Sequence, residues 1–203
     1  AIFAQTYFLI MKKNISGIQQ IGIGVPDVHS IWTWYRKFFG TNVRVFEEAA
    51  PAPYMTRYTG DTVHDRNSAL AISMEGGGGF EIWQYTSRNT EKPTFDIQLG
   101  DYGIYTCIIK SRDVKASYDF FTQNDAKIIQ PLAKRPNGKL TFSAEDPLGN
   151  IFTVVEGRGF FKNTGHPAKT GGVSGAIICV SDIEKALPLY KDLLEYETIE
   201  YDV

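Results

Sequence analysis

Hydrophobic and polar positions alternate along one short stretch of the chain, and this stretch occurs in three copies. Alternation with a period of two predicts a half-buried β-strand. Each copy ends at an aspartate followed by helical periodicity, so the aspartate is placed to accept backbone N–H bonds as the N-cap of a helix. The copies cover 17–27, 103–113 and 172–182 and end at Asp27, Asp113 and Asp182.

Each predicted helix carries large apolar residues five and eight positions after its aspartate. This spacing places both residues on one helical face, which is typical of a helix that packs on a core. The residues are Trp32 and Tyr35, Tyr118 and Phe121, and Leu187 and Tyr190.

Further β-like stretches follow the first two helices, so each of these units predicts the order βαβββ. A glycine run, Gly76–Gly79, joins the last two stretches of the first unit; it lacks the lysine and helix of a phosphate-binding loop, and we expect a flexible hairpin. One of the first two stretches in the first unit is expected to continue the pairing of its neighbour. The stretches are 42–48, 54–59, 68–74 and 80–85, then 127–131, 140–145 and 151–156.

These elements divide the chain into an α+β arrangement. Residues 15–157 hold two modules, the first over about 15–90 and the second over about 98–157. Residues 158–171 are rich in Gly, Lys, Pro and Thr and are interpreted as a linker, in which His166 is expected to face solvent. We interpret 172–203 as the start of a third, incomplete module and 1–14 as a leader or tail.

The composition of the chain limits the kinds of molecule that it is expected to bind. The chain is 43% hydrophobic and 22% charged, which is ordinary for a globular protein, and 21 basic residues stand against 23 acidic ones. No basic stripe is present, so we expect no nucleic-acid partner. The apolar stretch 1–10 is shorter than a membrane helix, so we expect no membrane partner either and a cytoplasmic location. A small molecule is the partner that remains.

Residues 18–27, 80–85 and 146–150 with the strand after them resemble the vicinal oxygen chelate superfamily, which contains glyoxalases, bleomycin-resistance proteins and extradiol dioxygenases. The resemblance implies paired βαβββ modules that form a cupped, barrel-like mixed sheet with the helices outside. It also implies a cleft for a small oxygenated molecule, and a divalent metal held by residues of the first and last strand of each module.

The expected metal ligands are largely replaced in this chain. The family pattern has a His seven residues before the capping aspartate and a Glu on the last strand. Gln20 and Thr106 stand at the two His positions, Thr153 stands at the second Glu position, and only Glu81 matches. One carboxylate with one amide oxygen is a poor ligand set. The resemblance thus implies one Zn, Ni, Fe or Mn ion, and the replacements predict that it is absent from this module pair.

The resemblance also assigns candidate roles. Glu81 would be the catalytic residue, as metal ligand or general base, and Gln20 a weak metal ligand or a donor to the substrate; alternatively the two side chains satisfy each other. Aromatic side chains could form the walls of the cleft, and a cation could bind a carboxylate or carbonyl. These further substrate-binding candidates are Trp83, Tyr85, Tyr105 and Arg57.

Two functions stay open at this point. The resemblance favours an enzyme with lactoylglutathione lyase-like or dioxygenase-like chemistry; the alternative is a non-catalytic module pair that binds or sequesters a small molecule, or acts as a scaffold, after losing its metal site. On the third helix, Leu187, Tyr190 and Leu194 form an apolar face without a sheet to cover it. This face predicts a homodimer or a further C-terminal module pair.

Overall fold

The computed structural model describes residues 15–196 and 198–201, so the predicted leader 1–14 lies outside the described residues. The first sheet has the order β1-β4-β3-β2, in which β1 runs parallel to β4 and the other pairs are antiparallel. The elements of this module are β1 (Gln20–Gly24), α1 (Val28–Phe39), β2 (Val43–Pro51), β3 (Asp65–Ile72) and β4 (Gly79–Tyr85).

The second module repeats the same plan and gains one strand. Its sheet has the order β6-β7-β8-β5-β9, with β5 parallel to β8. The added strand, β9 (Thr170–Cys179), runs antiparallel to β5. The module's own elements are β5 (Gly103–Ser111), α2 (Val114–Gln123), β6 (Lys127–Lys134), β7 (Leu140–Glu145) and β8 (Ile151–Glu156).

The predicted fold class is confirmed: the chain is α+β and consists of two mixed sheets that remain open rather than closing into a barrel. A strand and a helix also follow residue 170, where β9 leads into α3 (Ile183–Pro188) and one π-helical turn (Leu189–Leu193). The division of the chain into a module pair, a linker and a third module stays a prediction. No helix in the described part of the chain is long and apolar enough to cross a membrane.

One predicted strand is wrong. The stretch 54–59 forms a 3-10 helix, Pro53–Tyr58, between β2 and β3. Proline occupies its first position, where the fixed φ angle and the missing N–H suit the start of a helix better than a strand inside a sheet.

The three capping aspartates act as predicted. In each case a carboxylate oxygen accepts a hydrogen bond from the backbone N–H three residues later, at distances of 2.7 Å for Asp27, 2.9 Å for Asp113 and 3.1 Å for Asp182. Each cap satisfies one of the N–H groups that a helix leaves free at its start, and so fixes the point where strand becomes helix.

A single aromatic core joins the two modules. Trp32, Tyr35 and Phe39 on α1 are fully buried. The Phe39 ring lies 6.2 Å from Phe121 of α2 and 4.9 Å from Phe152 of β8, measured between centroids. Because side chains of α1 are shared between both sheets, the first module buries its helix only in the presence of the second.

The glycine run belongs to the predicted hairpin, which joins the antiparallel strands β3 and β4, and its backbone also contacts a second segment of the chain. The N–H of Gly78 donates to the carbonyl of Val173 at 2.7 Å, and a Cβ placed on Gly77 would lie 2.8 Å from the carbonyl carbon of Gly172. Two glycine segments therefore cross with their backbones in contact, which side chains would prevent. The crossing ties the first module to the start of β9.

The stretch interpreted as a linker is anchored on both modules. The buried carboxylate of Glu75 accepts hydrogen bonds from the Thr164 N–H at 2.6 Å and from Arg112 Nε at 2.7 Å. Burial raises the pKa of Glu75, but these hydrogen bonds outweigh it and hold the pKa below its usual value.

The expectation that His166 faces solvent is wrong. The ring is half-buried against Gly40, and Nε2 lies 3.1 Å from the carbonyl oxygen of Arg36, at the C-terminal end of α1. Burial lowers the pKa of His166, so the ring is neutral near pH 7 and its N–H can donate to this terminal carbonyl.

Candidate functional site

In the first module, the two residues at the expected metal-ligand positions bind each other. Gln20 Nε2 donates a hydrogen bond to a carboxylate oxygen of Glu81, and both residues are half-buried. The parallel pairing of β1 with β4 places Gly22 beside Glu81, so Gln20 lies two residues along the same face of the sheet. The structure thus brings these two candidates together, while their catalytic and metal-binding roles stay predictions.

Trp83 and Tyr85 continue the same face along β4, with ring centroids 6.0 Å apart in an edge-to-face arrangement. The guanidinium of Arg66 on β3 lies 4.9 Å from the Trp83 ring centroid and donates to Ser68 Oγ at 2.8 Å. Trp83 Nε1 is buried and has no hydrogen-bond partner within the described residues. An unpaired buried donor costs about 1–3 kcal/mol, so this N–H would gain from an acceptor.

In the second module, the equivalent positions carry hydroxyl groups that form a chain. Thr106 Oγ1 lies 3.1 Å from Thr153 Oγ1, which lies 3.0 Å from Ser143 Oγ. Ser143 in turn donates to the amide oxygen of Gln130 at 3.2 Å, and Thr106 donates to the carbonyl oxygen of Ile151 at 3.0 Å. Four strands, β5 to β8, therefore contribute to one polar network.

This network lines a cavity of about 440 Å³, which we call the hydroxyl cavity. Its apolar walls include Ile108, Val155 and Ile177, and the candidate Tyr105 lines it as well. At the rim, Arg135 donates to the hydroxyl of Tyr201 at 2.8 Å, and its guanidinium lies 4.9 Å from the tyrosine ring centroid.

A groove of about 180 Å³ marks the seam between the modules. Residues 21–24 of β1 line one side of this groove and residues 104–107 of β5 line the other. Tyr105, Thr106 and Ile151 line both the seam groove and the hydroxyl cavity. The seam groove and the hydroxyl cavity are therefore adjacent, and the first strand of each module borders the groove.

The core beside the seam groove contains a buried tyrosine and a buried cysteine, and the cysteine borders the groove. The hydroxyl of Tyr35 donates to a carboxylate oxygen of Asp146 at 2.8 Å, and burial followed by the Asp146 charge raises the pKa of Tyr35 well above its usual value. Burial, with a further contribution from Asp146, raises the pKa of the Cys107 thiol to about 11. Cys107 is therefore protonated at neutral pH and acts as a core residue.

Arg57 is not part of either face. It lies exposed on the 3-10 helix Pro53–Tyr58, and among the described residues it has no hydrogen-bond or ion-pair partner. Its proposed role as a donor to substrate stays a prediction.

The side chains at the expected metal position do not fit a transition metal. They offer one carboxylate and one amide, already bonded to each other, and two threonine hydroxyls that are likewise bonded together. The described residues contain no group of three or more His, Cys, Asp or Glu that could hold an ion. Zn, Ni, Fe and Mn bind tightly only where imidazole, thiolate or carboxylate ligands are present in number.

The apolar face of the third helix borders a groove of about 350 Å³ between α3 and the outer side of β9. Leu187 and Tyr190 line it together with Ile178 and Ile183. Whether this groove receives a second copy of the chain or a further module pair stays a prediction.

Four residues of these faces were not among the candidates predicted from the sequence, namely Arg66, Gln130, Ser143 and Arg135. Two of them had a usable signal: Ser143 lies on the predicted strand 140–145 and Gln130 on the predicted strand 127–131, both in the module that contains Thr153. The others depend on long side chains whose direction the alternation pattern does not fix.

Comparison with known proteins identifies a family. The model of the Glyoxalase/Bleomycin resistance protein/Dioxygenase superfamily matches residues 17–154. No curated protein matches the chain significantly.

Solved structures with a similar fold share little sequence with the chain. A glyoxalase family protein from Bacillus cereus has a TM-score of 0.56 at 12% identity, with coverage of 74% of this chain and 99% of that one. A glyoxalase I mutant from Zea mays has a TM-score of 0.59 at 14% identity; the match covers 92% of this chain and 58% of the maize enzyme. Likeness at this level of identity shows the fold alone.

Proposed function

We propose that this chain, which belongs to the Glyoxalase/Bleomycin resistance protein/Dioxygenase superfamily, binds a small oxygenated molecule in the hydroxyl cavity without the help of a divalent metal. The observation that carries the proposal is the hydroxyl network of Thr106, Thr153 and Ser143 on one wall of that cavity. Hydroxyl groups can donate or accept and can rotate, so they suit the oxygens of an uncharged ligand.

The proton count of the network indicates which ligand groups fit. The network contains four oxygen–oxygen contacts: Thr106 with the Ile151 carbonyl, Thr106 with Thr153, Thr153 with Ser143, and Ser143 with the Gln130 amide oxygen. The three hydroxyl groups supply only three protons for these four contacts. The network therefore has more acceptors than donors. A ligand that carries its own hydroxyl donors would complement it.

The walls and size of the cavity support the same ligand class. Ile108, Val155 and Ile177 provide apolar contact, and Tyr105 provides an aromatic face. A volume of about 440 Å³ lies in the range of small-molecule sites, which are mostly apolar with a few well-placed polar groups. A compact hydroxylated ring or hydroxyketone fits this description.

The test uses catechol and hydroxyacetone as probes in an NMR titration of the whole chain. We expect saturable shifts of the Thr106 and Thr153 methyl signals with at least one probe. Thr153→Val keeps the shape but removes the hydroxyl, so it should weaken binding by about five- to tenfold, the effect of losing about one net hydrogen bond.

Thr94→Val, in the exposed loop between β4 and β5, is the matched control and should leave the affinity unchanged. Shifts confined to other parts of the chain, or equal affinity in Thr153→Val, would refute the hydroxyl cavity as the binding site.

The catalytic alternative rests on a different observation. Glu81 occupies the family's ligand position, and on the same face Trp83 Nε1 lacks an acceptor within the described residues. A lyase-like, isomerase-like or dioxygenase-like activity would place Glu81 at the reacting atoms as a base. Purified protein that contains one divalent ion per chain, lost in Glu81→Ala, would favour this alternative.

A further inference from the structure

A second cavity lies at the opposite end of the seam and is cationic. It has a volume of about 560 Å³ and is bordered by the approach to β1, the glycine run and the start of β9. Among the described residues that line it, the only charged ones are Lys110 of β5 and Arg158 after β8. We call it the cationic cavity.

Lys110 is held in place by glycines rather than by an acid. It is only 3% exposed, and a Cβ placed on Gly157 would lie 2.3 Å from the Lys110 Cβ, while one on Gly171 would lie 3.0 Å from its Cε. These two glycines leave the space that the lysine stem fills. Because the glycines belong to two separate segments of the chain, the lysine side chain is enclosed from two sides and the position of its ammonium group is fixed.

The charge of Lys110 is only partly compensated. Its Nζ donates to the carbonyl oxygen of Gly159 at 2.9 Å and lies 4.5 Å from the Phe160 ring centroid. The nearby Glu75 carboxylate is already bound by Arg112 and Thr164. A buried ammonium group is costly unless charge and hydrogen bonds compensate it.

We propose that the cationic cavity binds a small oxyanion, the carboxylate or phosphate group of a small molecule, between Lys110 and Arg158. The two cations supply the charge, and the side-chain amide of Gln19 in the same lining supplies a donor, whereas the Ser174 hydroxyl donates to the carbonyl oxygen of Ile108 at 3.3 Å. Burial and the neighbouring Arg112 guanidinium hold the pKa of Lys110 below its usual value, and a bound anion would oppose this shift by stabilising the charged ammonium group. This proposal does not depend on the hydroxyl cavity.

The experiment titrates the whole chain with inorganic phosphate and with succinate at constant ionic strength, and follows binding by calorimetry. We expect saturable binding of at least one of the two anions. Lys110→Met keeps the stem and removes the charge, and should weaken binding at least about tenfold, as expected for a buried charged partner. Arg158→Gln, at an exposed position, should weaken it about two- to fivefold.

Lys92→Met, an exposed lysine in the loop between β4 and β5, is the matched control and should bind like the unchanged protein. Tighter binding of phosphate would indicate a phosphorylated ligand, and tighter binding of succinate a carboxylate ligand; either supports the proposal. If Lys110→Met does not fold, the Lys110 Nζ signal of the unchanged protein must still shift on titration. Saturable binding of neither anion, or binding that Arg158→Gln and Lys110→Met leave unchanged, would overturn it.

Discussion

The inner faces of the two sheets follow one backbone plan and carry different chemistry. Seven residues before the capping aspartate, the first module has Gln20 and the second has Thr106; on the last strand, the first has Glu81 and the second has Thr153. In each module the two side chains bind each other, amide to carboxylate in one and hydroxyl to hydroxyl in the other. The fold thus fixes which positions meet, and the residue types decide what they can bind.

The neighbours of the two pairs also differ in charge. Beside Glu81, the first face carries Arg66 against Trp83, and Arg66 forms an ion pair with Glu48 at 2.8 Å. The second face continues Thr153 with Ser143 and Gln130, which are uncharged. Charged groups remain strongly hydrated, whereas hydroxyls lose less on burial, so the hydroxyl wall accommodates a neutral group more easily than the Gln20–Glu81 pair does. The lining of the hydroxyl cavity also includes two cations, Lys134 and Arg135.

The largest expected effect comes from restoring the family's metal ligands at the positions of the two pairs. Gln20→His, Thr106→His and Thr153→Glu, combined with the native Glu81, supply the family's ligand set. If the pairs face each other across the seam, this triple variant should bind one Zn²⁺ or Ni²⁺ per chain, at least about 100-fold more tightly than the unchanged protein. Calorimetry and elemental analysis of purified protein measure this.

The control for the metal experiment changes the same positions without adding strong ligands, as Gln20→Asn, Thr106→Ser and Thr153→Gln. Equal zinc binding by control and triple variant would show that the two pairs do not converge. A stoichiometric metal already present in the unchanged protein would contradict our conclusion that its side chains do not fit one.

Much of this comparison follows from the sequence, because local signals determine it. The predicted strands 140–145 and 151–156 coincide with β7 and β8, and the aspartate caps mark the start of each of the three α-helices. Alternation and capping involve residues within a few positions of each other. The contact of Gln20 with Glu81 also follows, because the βαβββ order makes β1 and β4 neighbours.

What the sequence does not predict depends on contacts between distant residues. Gly76–Gly79 forms the hairpin that its composition predicts, but the sequence does not show that its backbone also contacts Gly172. His166 sits in a polar stretch, yet it meets the end of α1 at Arg36, 130 residues earlier. Neither contact produces a periodic pattern in the sequence from which it could be predicted.

The helix-facing sides of the modules provide a second, smaller difference. Cys107 of β5 stands where β1 has Ile21, and the raised pKa of about 11 leaves its thiol protonated, whereas Cys179 at the end of β9 is half-buried. At pH 8 the shift leaves Cys107 with about 100-fold less thiolate than an ordinary cysteine. We expect iodoacetamide to modify Cys179 first, and Cys107 only above pH 10 or after unfolding.

Mass spectrometry of the partly alkylated protein identifies the modified residue, and Cys179→Ser is the control that should abolish the fast phase. Rapid alkylation of Cys107 at pH 8 in folded protein would mean that the seam opens and that Cys107 is not a closed core residue.

The smallest effect concerns the strength of the two pairs themselves. A hydrogen bond to a charged group stabilises a protein by about 1.5–3 kcal/mol and one between neutral groups by about 0.5–1.5 kcal/mol. A double-mutant cycle of Gln20→Ala with Glu81→Ala should therefore give a larger coupling free energy than a cycle of Thr106→Val with Thr153→Val. Urea unfolding at pH 7 measures both cycles. A larger coupling for the threonine pair would mean that the hydroxyl network acts as one unit, and the difference between the two faces would then be one of cooperativity rather than charge.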